Sequence, residues 1–262
     1  MDKNIITSTK EKQLIVWALY DDAESSYKNA IKKFFHKKFK VYSVGINDVV
    51  FEDSNLYFYK KIDLSLNNFS LISQLKQLPK PDIILASPPC ESWSGADCNG
   101  KMFRSIDVHG NWVVKNKSFY DDYNKTCHPV KRRYFYQKEQ GRIIGESTIG
   151  ATITIIEHFK PKVWVIENPQ TSKTWEFQKY HWNFNKGYMN LAYYSSYNEN
   201  FSKKPTYFKS NLKLDLKTNK TGKSNKDHMA KGSYKKRSSI PNELIQDLIN
   251  QILNSKELND DK

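Results

Sequence analysis

Short apolar runs alternate with helical periodicities along the first half of the chain. Gln13 to Leu19 (Gln-Leu-Ile-Val-Trp-Ala-Leu) is a run of strand length, closed by the capping-rich cluster Tyr20 to Ser26. Tyr27, Ala30, Ile31, Phe34 and Phe35 then recur at helical spacing with lysines between them, which predicts strand, loop, helix. Phe39 to Val44 predicts a second strand ending at Gly45-Ile46-Asn47-Asp48, and Leu56 to Tyr59 a short third. Ile72 to Leu78 predicts a second helix, and Asp82 to Ala86 the next strand. Alternation at this pitch predicts an α/β fold of βαβ units, with a mostly parallel sheet and helices on both faces. Right-handed crossovers then bring the parallel strands' carboxyl ends to one edge.

The pattern breaks between Gly95 and about Gln140, a polar and aromatic stretch holding Arg104, His109, Trp112, Tyr120, Tyr123, His128, Arg132 and Arg133. A segment this long without periodicity inside a compact domain reads as a functional loop. Order returns with Ile143, Ile144, Ile149, Ile153, Ile156 and Phe159, a helix stopped before Pro161. Lys162 to Ile166 is a buried strand cut off at Glu167-Asn168-Pro169. Runs around Met189 to Tyr194 and Thr206 to Lys209 predict an antiparallel pair that ends the sheet. Leu212 to Ser239 is lysine-rich and reads as a tail or mobile loop by composition. Pro241 opens an amphipathic helix carrying Leu244, Ile245, Leu248, Ile249, Ile252 and Leu253 on one stripe. There is no internal repeat.

Composition sharpens the choice of partner. The chain has 262 residues, a formal charge of +14, 38% hydrophobic and 14% aromatic residues. That excess favours a polyanionic partner, nucleic acid before anionic membrane. The charge is nearly all lysine, the arginines being Arg104, Arg132, Arg133, Arg142 and Arg237. Lysine makes mobile phosphate contacts, whereas arginine supplies the rigid fork that reads guanine edges. Cys90, Cys98 and Cys127 are odd in number and irregular in spacing, so no disulfide framework is expected. No apolar run approaches the ~20 residues of a membrane span, and the amino terminus lacks a signal peptide's apolar core. A soluble, cytoplasmic protein without a membrane partner is expected.

Two predicted strands end in chemically loaded loops. Pro81-Asp82-Ile83-Ile84-Leu85-Ala86 runs into Ser87-Pro88-Pro89-Cys90, where the prolines fix φ and stop the strand. The other loop is Glu167-Asn168-Pro169. Ligands of open α/β sheets bind at the carboxyl ends of strands. If the two strands lie side by side, a thiol and a carboxylic acid face a common pocket. The pair suits conjugate addition to a ring, with the acid protonating a ring nitrogen as sulfur adds. A small buried hydrophobe at Cys90 and a turn-capping carboxylate at Glu167 are the plainer readings.

Ser87-Pro88-Pro89-Cys90-Glu91-Ser92-Trp93-Ser94 resembles the Pro-Cys loop of the DNA (cytosine-5) methyltransferases, and Ile166-Glu167-Asn168-Pro169 resembles their Glu-Asn motif. The pair occurs in the family's order, each motif at a strand end, as in a small phage- or restriction-modification-type member. The resemblance implies a Rossmann-like S-adenosylmethionine-dependent fold, double-stranded DNA as partner, and a monomer in a bacterial or phage-infected cell. Cys90 would attack carbon 6 of a flipped-out cytosine and Glu167 would bond nitrogen 3. S-adenosylmethionine would lie near Tyr20, Asp21, Asp22, Asp48, Asp63 and Pro88. Asp48 would bond ribose hydroxyls and Asp63 the adenine, the alternatives being a turn aspartate and a capping aspartate. The family's glycine-bearing first loop is replaced by Leu19-Tyr20-Asp21-Asp22-Ala23-Glu24-Ser25-Ser26, which has no glycine.

On the nucleic-acid side the resemblance implies contacts from Ser94, Asn168, Lys204 and Thr206, Asn168 mainly by shaping its loop. Lys203-Lys204-Pro205-Thr206-Tyr207-Phe208 falls where the family keeps a Gln-x-Arg-x-Arg strand, with lysines in place of arginines. Arg237-Ser238-Ser239-Ile240-Pro241 and its helix resemble a closing segment that packs back on the first loop. Residues 1–210 are thus expected to be the catalytic domain, 211–239 a short basic target-recognition segment, and 240–262 the closing helix. Where the family carries a large target-recognition region this chain has only that short segment, so the 95–140 loop with Arg132 and Arg133 is expected to share the role. The competing readings are RNA cytosine-5 methylation and a catalytically inactive nucleic-acid-binding relative. Cys98, His109, Cys127 and His128 lack the paired Cys-x-x-Cys spacing of a zinc site, so no metal is expected. No Gly-x-x-x-x-Gly-Lys stretch marks a phosphate-cradling loop.

Overall fold

The computed structural model describes residues 13–21, 25–49, 54–93, 104–106, 112–219 and 224–259. In chain order the first half runs β1 (Leu14–Leu19), α1 (Ser26–Phe34), β2 (Phe39–Gly45), β3 (Tyr57–Lys61), α2 (Leu71–Leu75) and β4 (Ile83–Ala86). A short ribbon follows, β5 (Arg104–Ile106) with β6 (Trp112–Val114), then α3 (Lys117–Thr126), α4 (Phe135–Phe159), β7 (Val163–Pro169) and α5 (Thr174–Tyr180). The chain closes with β8 (Tyr188–Tyr193), β9 (Pro205–Ser210), α6 (Asp227–Lys231), α7 (Tyr234–Ser238), α8 (Asn242–Leu253) and α9 (Lys256–Asn259).

The main sheet has seven strands in the order β3-β2-β1-β4-β7-β9-β8. β1, β2, β3, β4 and β7 are parallel, and β9 runs antiparallel to both β7 and β8. The predicted α/β class and terminal antiparallel pair are therefore present. Side-chain alternation along the strands divides the core in two. Val16, Ala18, Val41, Ile83, Leu85, Val163 and Val165 pack with Tyr27, Ala30 and Ile31 of α1 and with Leu244, Leu248 and Ile252 of α8. Trp17, Leu19, Val44, Ile84, Ala86, Trp164 and Ile166 face the other way, onto Leu71 and Leu75 of α2, Ile149, Ile153 and Ile156 of α4, and Phe177 of α5. Helices thus cover both faces, as strands buried on both sides require.

Two stretches differ from the sequence expectation. The 95–140 segment is not loop throughout: its described residues include the ribbon, α3 and the first turns of α4. Helix α4 begins at Phe135, well before the apolar repeat that starts at Ile143. Its glycines hid the early turns, because close packing needs them. A Cβ on Gly145 would stand 2.4 Å from Ser92 Oγ and 2.6 Å from Trp93 Nε1. The second stretch is the start of the lysine-rich segment. Leu212, Leu214 and Leu216 alternate inward and are buried in the α1–α8 core. Asp215 is tied to α8 through the Gln251 side chain, which accepts from its N–H at 2.8 Å and donates to its carbonyl at 3.0 Å. A period-two signal was present there, diluted by the lysines between the leucines.

Candidate active site

β4 and β7 are neighbours, with Ala86 opposite Ile166. Beyond that pair β4 turns off into the Cys90 loop, whereas Glu167-Asn168-Pro169, expected as a loop, continues β7 and pairs with β9, which brings Glu167 to the same edge as Cys90. Pro88 and Pro89 stiffen the first loop, and a turn bond from Trp93 N to the Cys90 carbonyl at 3.0 Å closes it. Trp93 is fully buried with its ring centroid 4.9 Å from that of Phe177. Ser92 Oγ donates to the Gly141 carbonyl of α4 at 2.7 Å, and Lys173 N donates to the Trp93 carbonyl at 2.9 Å. The thiol therefore sits on a loop anchored to two helical elements.

Glu167 is buried, 8% exposed, and Tyr194 donates its hydroxyl to Glu167 Oε1 at 3.1 Å. Asn168 is fully buried, and its side-chain amide donates to the Pro88 carbonyl at 3.0 Å. Among the described residues its Oδ1 has no hydrogen-bond partner. Such buried orphans are rare because each costs about 1–3 kcal/mol.

Burial, then the carboxylates of Glu167 and Glu91, push the half-buried Cys90 thiol up to about 11, against a downward pull from Lys204. An attacking thiolate needs the reverse. The thiol therefore holds its proton, and the Glu167 carboxylate beside it helps to keep it there. Anything that protonates Glu167 or pairs its charge eases ionisation of Cys90.

The β7–β9 ladder places Asn168 opposite Tyr207 and Pro169 opposite Thr206, so the strand carrying Thr206 borders the same edge. Thr206 is fully buried and donates to the Lys204 carbonyl at 3.0 Å. Lys204 has φ +32°, its ammonium lies 4.6 Å over the Tyr194 ring, and it donates to the Arg237 carbonyl at 2.8 Å. Arg132 and Arg133 lie in the turn between α3 and α4. Arg132 is exposed, while Arg133 is fastened by its N–H to Asn124 Oδ1 at 2.8 Å and by its carbonyl from Asn124 Nδ2 at 2.6 Å. Among the described residues no hydrogen bond or ion pair joins these arginines to Cys90; α4, which follows them, meets the Cys90 loop where its Gly141 carbonyl accepts from Ser92. Ser94 lies outside the described residues.

At the ends of β1, β2 and β3 the other expected residues divide. Tyr20 turns the chain with φ +55° and Ser25 with φ +51°, the left-handed geometry that glycine usually supplies. The Tyr20 hydroxyl lies 2.6 Å from the Leu64 carbonyl and 2.8 Å from the Thr148 carbonyl, so its side chain braces α4 and only its backbone shapes the turn. Asp21 is buried and accepts from Ser43 Oγ at 2.6 Å. Asp48 is exposed and ion-paired to Lys61 at 2.6 Å. Asp63 is exposed just past β3, its carbonyl accepting from Asn68 Nδ2 at 2.9 Å. Pro88 is buried and contributes the carbonyl that Asn168 holds. Asp22 lies outside the described residues.

Tyr194 was not legible as a site residue. It arrives from the turn after β8, and only the antiparallel pair's placement brings it to Glu167. Among the described residues no three His, Cys, Asp or Glu side chains are grouped to hold a metal, and Cys98 and His109 lie outside them. No helix of the described residues is long and apolar enough to cross a membrane. No model of a known protein family matches the sequence, and no curated protein matches it.

Proposed function

We propose that the protein is a cytosine-5 methyltransferase acting on DNA, with a Rossmann-like S-adenosylmethionine-dependent fold, Cys90 as nucleophile and Glu167 as acid. The observation that carries this reading is the pairing of β4 with β7, which sets a thiol and a buried carboxyl side by side at the carboxyl edge of a parallel sheet. Counting the strands of the main sheet alone, the order is 3-2-1-4-5-7-6, whose first five follow the doubly wound pattern.

The residues at this edge fit the methyl donor. The left-handed turns at Tyr20 and Ser25 give the glycine-less loop a glycine-like backbone, and α1 starts directly after it, so the positive end of the helix dipole favours the donor's carboxylate there. Asp48 and Asp63 would hold hydroxyl and amino groups. Bound S-adenosylmethionine would supply an electrophilic methyl group.

Cys90 sulfur would add to carbon 6 of an extruded cytosine while Glu167 gives a proton to nitrogen 3, leaving an electron-rich carbon 5. Net proton movement is from the thiol to the ring nitrogen through Glu167. The high resting position of the Cys90 thiol then serves the reaction, since sulfur is unmasked only when a ring accepts the proton. After carbon 5 is substituted, loss of its proton to a base lets the carbon 6–sulfur bond break, and the departing Cys90 thiolate recovers the nitrogen-3 proton through Glu167. The lysine surplus supports a phosphate-rich partner, with Lys204, Thr206, Arg132, Arg133 and Ser94 on the nucleic-acid side.

Isotope-labelled methyl donor incubated with duplex DNA and with tRNA tests the reading. Label in 5-methylcytosine of DNA is expected. Label in tRNA alone would move the substrate to RNA, and failure to bind the donor by calorimetry would leave a non-catalytic binding protein.

A further inference from the structure

One hydrogen bond of the site comes from outside both motif loops. Tyr194 opens the turn after β8, two strands from β7 in the sheet, and still reaches Glu167 Oε1 at 3.1 Å. Its burial and the Glu167 charge push its ionisation far up, so it remains a proton donor at any working pH. The ring is held from several sides. The Lys204 ammonium sits 4.6 Å over it, Lys204 is itself fastened to the Arg237 carbonyl at 2.8 Å, and Phe201 meets the ring edge-on at 6.0 Å between centroids. Thr206, whose hydroxyl donates to the Lys204 carbonyl at 3.0 Å, fastens the same segment. A phenol this constrained fixes the carboxyl it touches. A donor to the ionised form of an acid also favours that form.

We propose that Tyr194 is the positioning residue of Glu167: its hydroxyl sets the orientation of the carboxyl beside Cys90 and the pH at which that carboxyl takes up a proton, with Lys204 bracing the ring. The proposal rests on the reading of Glu167 as the acid of the site. Among the described residues, the titratable and charged groups at the site include Tyr27 of α1 beside Tyr194, Lys204 over the Tyr194 ring, and Cys90 with its neighbour Glu91 on the Pro-Cys loop. At this site a tyrosine on a lysine brace holds the acid, and Arg237 contributes its backbone carbonyl to that brace.

The test is a ¹³C NMR titration of glutamate side-chain carboxyls, with the Glu167 resonance identified by its loss in Glu167→Gln. Tyr194→Phe keeps the ring, its packing and the lysine over it, and removes the hydroxyl alone. The Glu167 midpoint should rise by about one to two pH units in that variant, the worth of one hydrogen bond to a charged acceptor. Lys204→Met keeps the hydroxyl and should raise the midpoint by less. An unchanged midpoint in folded Tyr194→Phe, or equal shifts in the two variants, would overturn the proposal. The titration needs no substrate, so the reaction is judged separately by methyl transfer from wild type. On DNA, Tyr194→Phe should lower kcat and leave KM unchanged; a raised KM with kcat intact would count against the positioning role.

Discussion

Asn168 donates its side-chain amide to the Pro88 carbonyl at 3.0 Å, tying the end of β7 to the loop that follows β4. This bond, between two buried residues, fixes the spacing of Cys90 and Glu167 more directly than the β4–β7 ladder does, because that ladder ends at Ala86 and Ile166, before either group. Asn168→Ala strips the Pro88 carbonyl of its donor and should lower unfolding free energy by about 1–3 kcal/mol in urea melts. The rate of covalent trapping should fall further than DNA affinity does, since position rather than binding is lost.

Reactivity of Cys90 should follow an alkaline profile. With the thiol raised to about 11, alkylation by iodoacetamide should be slow at neutral pH and climb until the thiolate dominates. Glu167→Gln removes a negative neighbour and should lower the midpoint; Lys204→Met removes the opposing cation and should raise it. Mass spectrometry of the Cys90 peptide across pH gives the midpoints. One at the ordinary thiol value of about 8.5 would contradict the geometry.

Gly145 is expected to resist substitution although it lies inside a helix. Alanine would gain about 1 kcal/mol of helix propensity, but its Cβ would collide with Ser92 Oγ at 2.4 Å and with the Trp93 indole. Overpacking of this kind costs about 1–3 kcal/mol, so Gly145→Ala should be net destabilising and displace the Pro-Cys loop. Thermal unfolding together with the Cys90 alkylation rate checks both effects; a rise in Tm with unchanged reactivity would be the contrary result.

The legibility of this protein in its sequence was uneven for identifiable reasons. Strands such as Ile83–Ala86 and Val163–Ile166 are buried on both faces, so they stand out as continuous apolar runs. The residues that follow these runs carried the Cys90 and Glu167 chemistry in plain view, while the strands' adjacency could only be posed as a condition, and the continuation of β7 through Glu167-Asn168-Pro169 was hidden by the polar pair and the proline. Helix α3 was missed because its buried face rests on Tyr120, with charged and polar residues over the rest. Tyr194 was invisible because its role depends on the return path of β9. Asp48 and Asp63 were named by position alone, and both are exposed at the predicted strand ends.

Lys209 offers a separate pH signature. It is buried on β9, donates to the Phe184 carbonyl at 2.7 Å and to Gln178 Oε1 at 3.2 Å, and burial with repulsion from Lys186 lowers it to about 8. An unfolded lysine stays protonated to about 10.4, so between these values the unfolded chain binds the extra proton. Stability should therefore rise with pH from about 8 to about 10 through this group, the contribution being lost as pH falls through the folded value. Urea midpoints across that window should show the rise in wild type and a flatter course in Lys209→Met.

The central claim is that Cys90 bonds covalently to cytosine carbon 6, and trapping on DNA containing 5-fluorocytosine with the methyl donor present tests it most directly. The fluorine cannot leave as the carbon-5 proton does, so the adduct persists and is read as a band resistant to denaturation. Wild type should form it, and Cys90→Ser should not. An adduct that survives in Cys90→Ser, or none with wild-type protein that binds donor and DNA, would contradict the account.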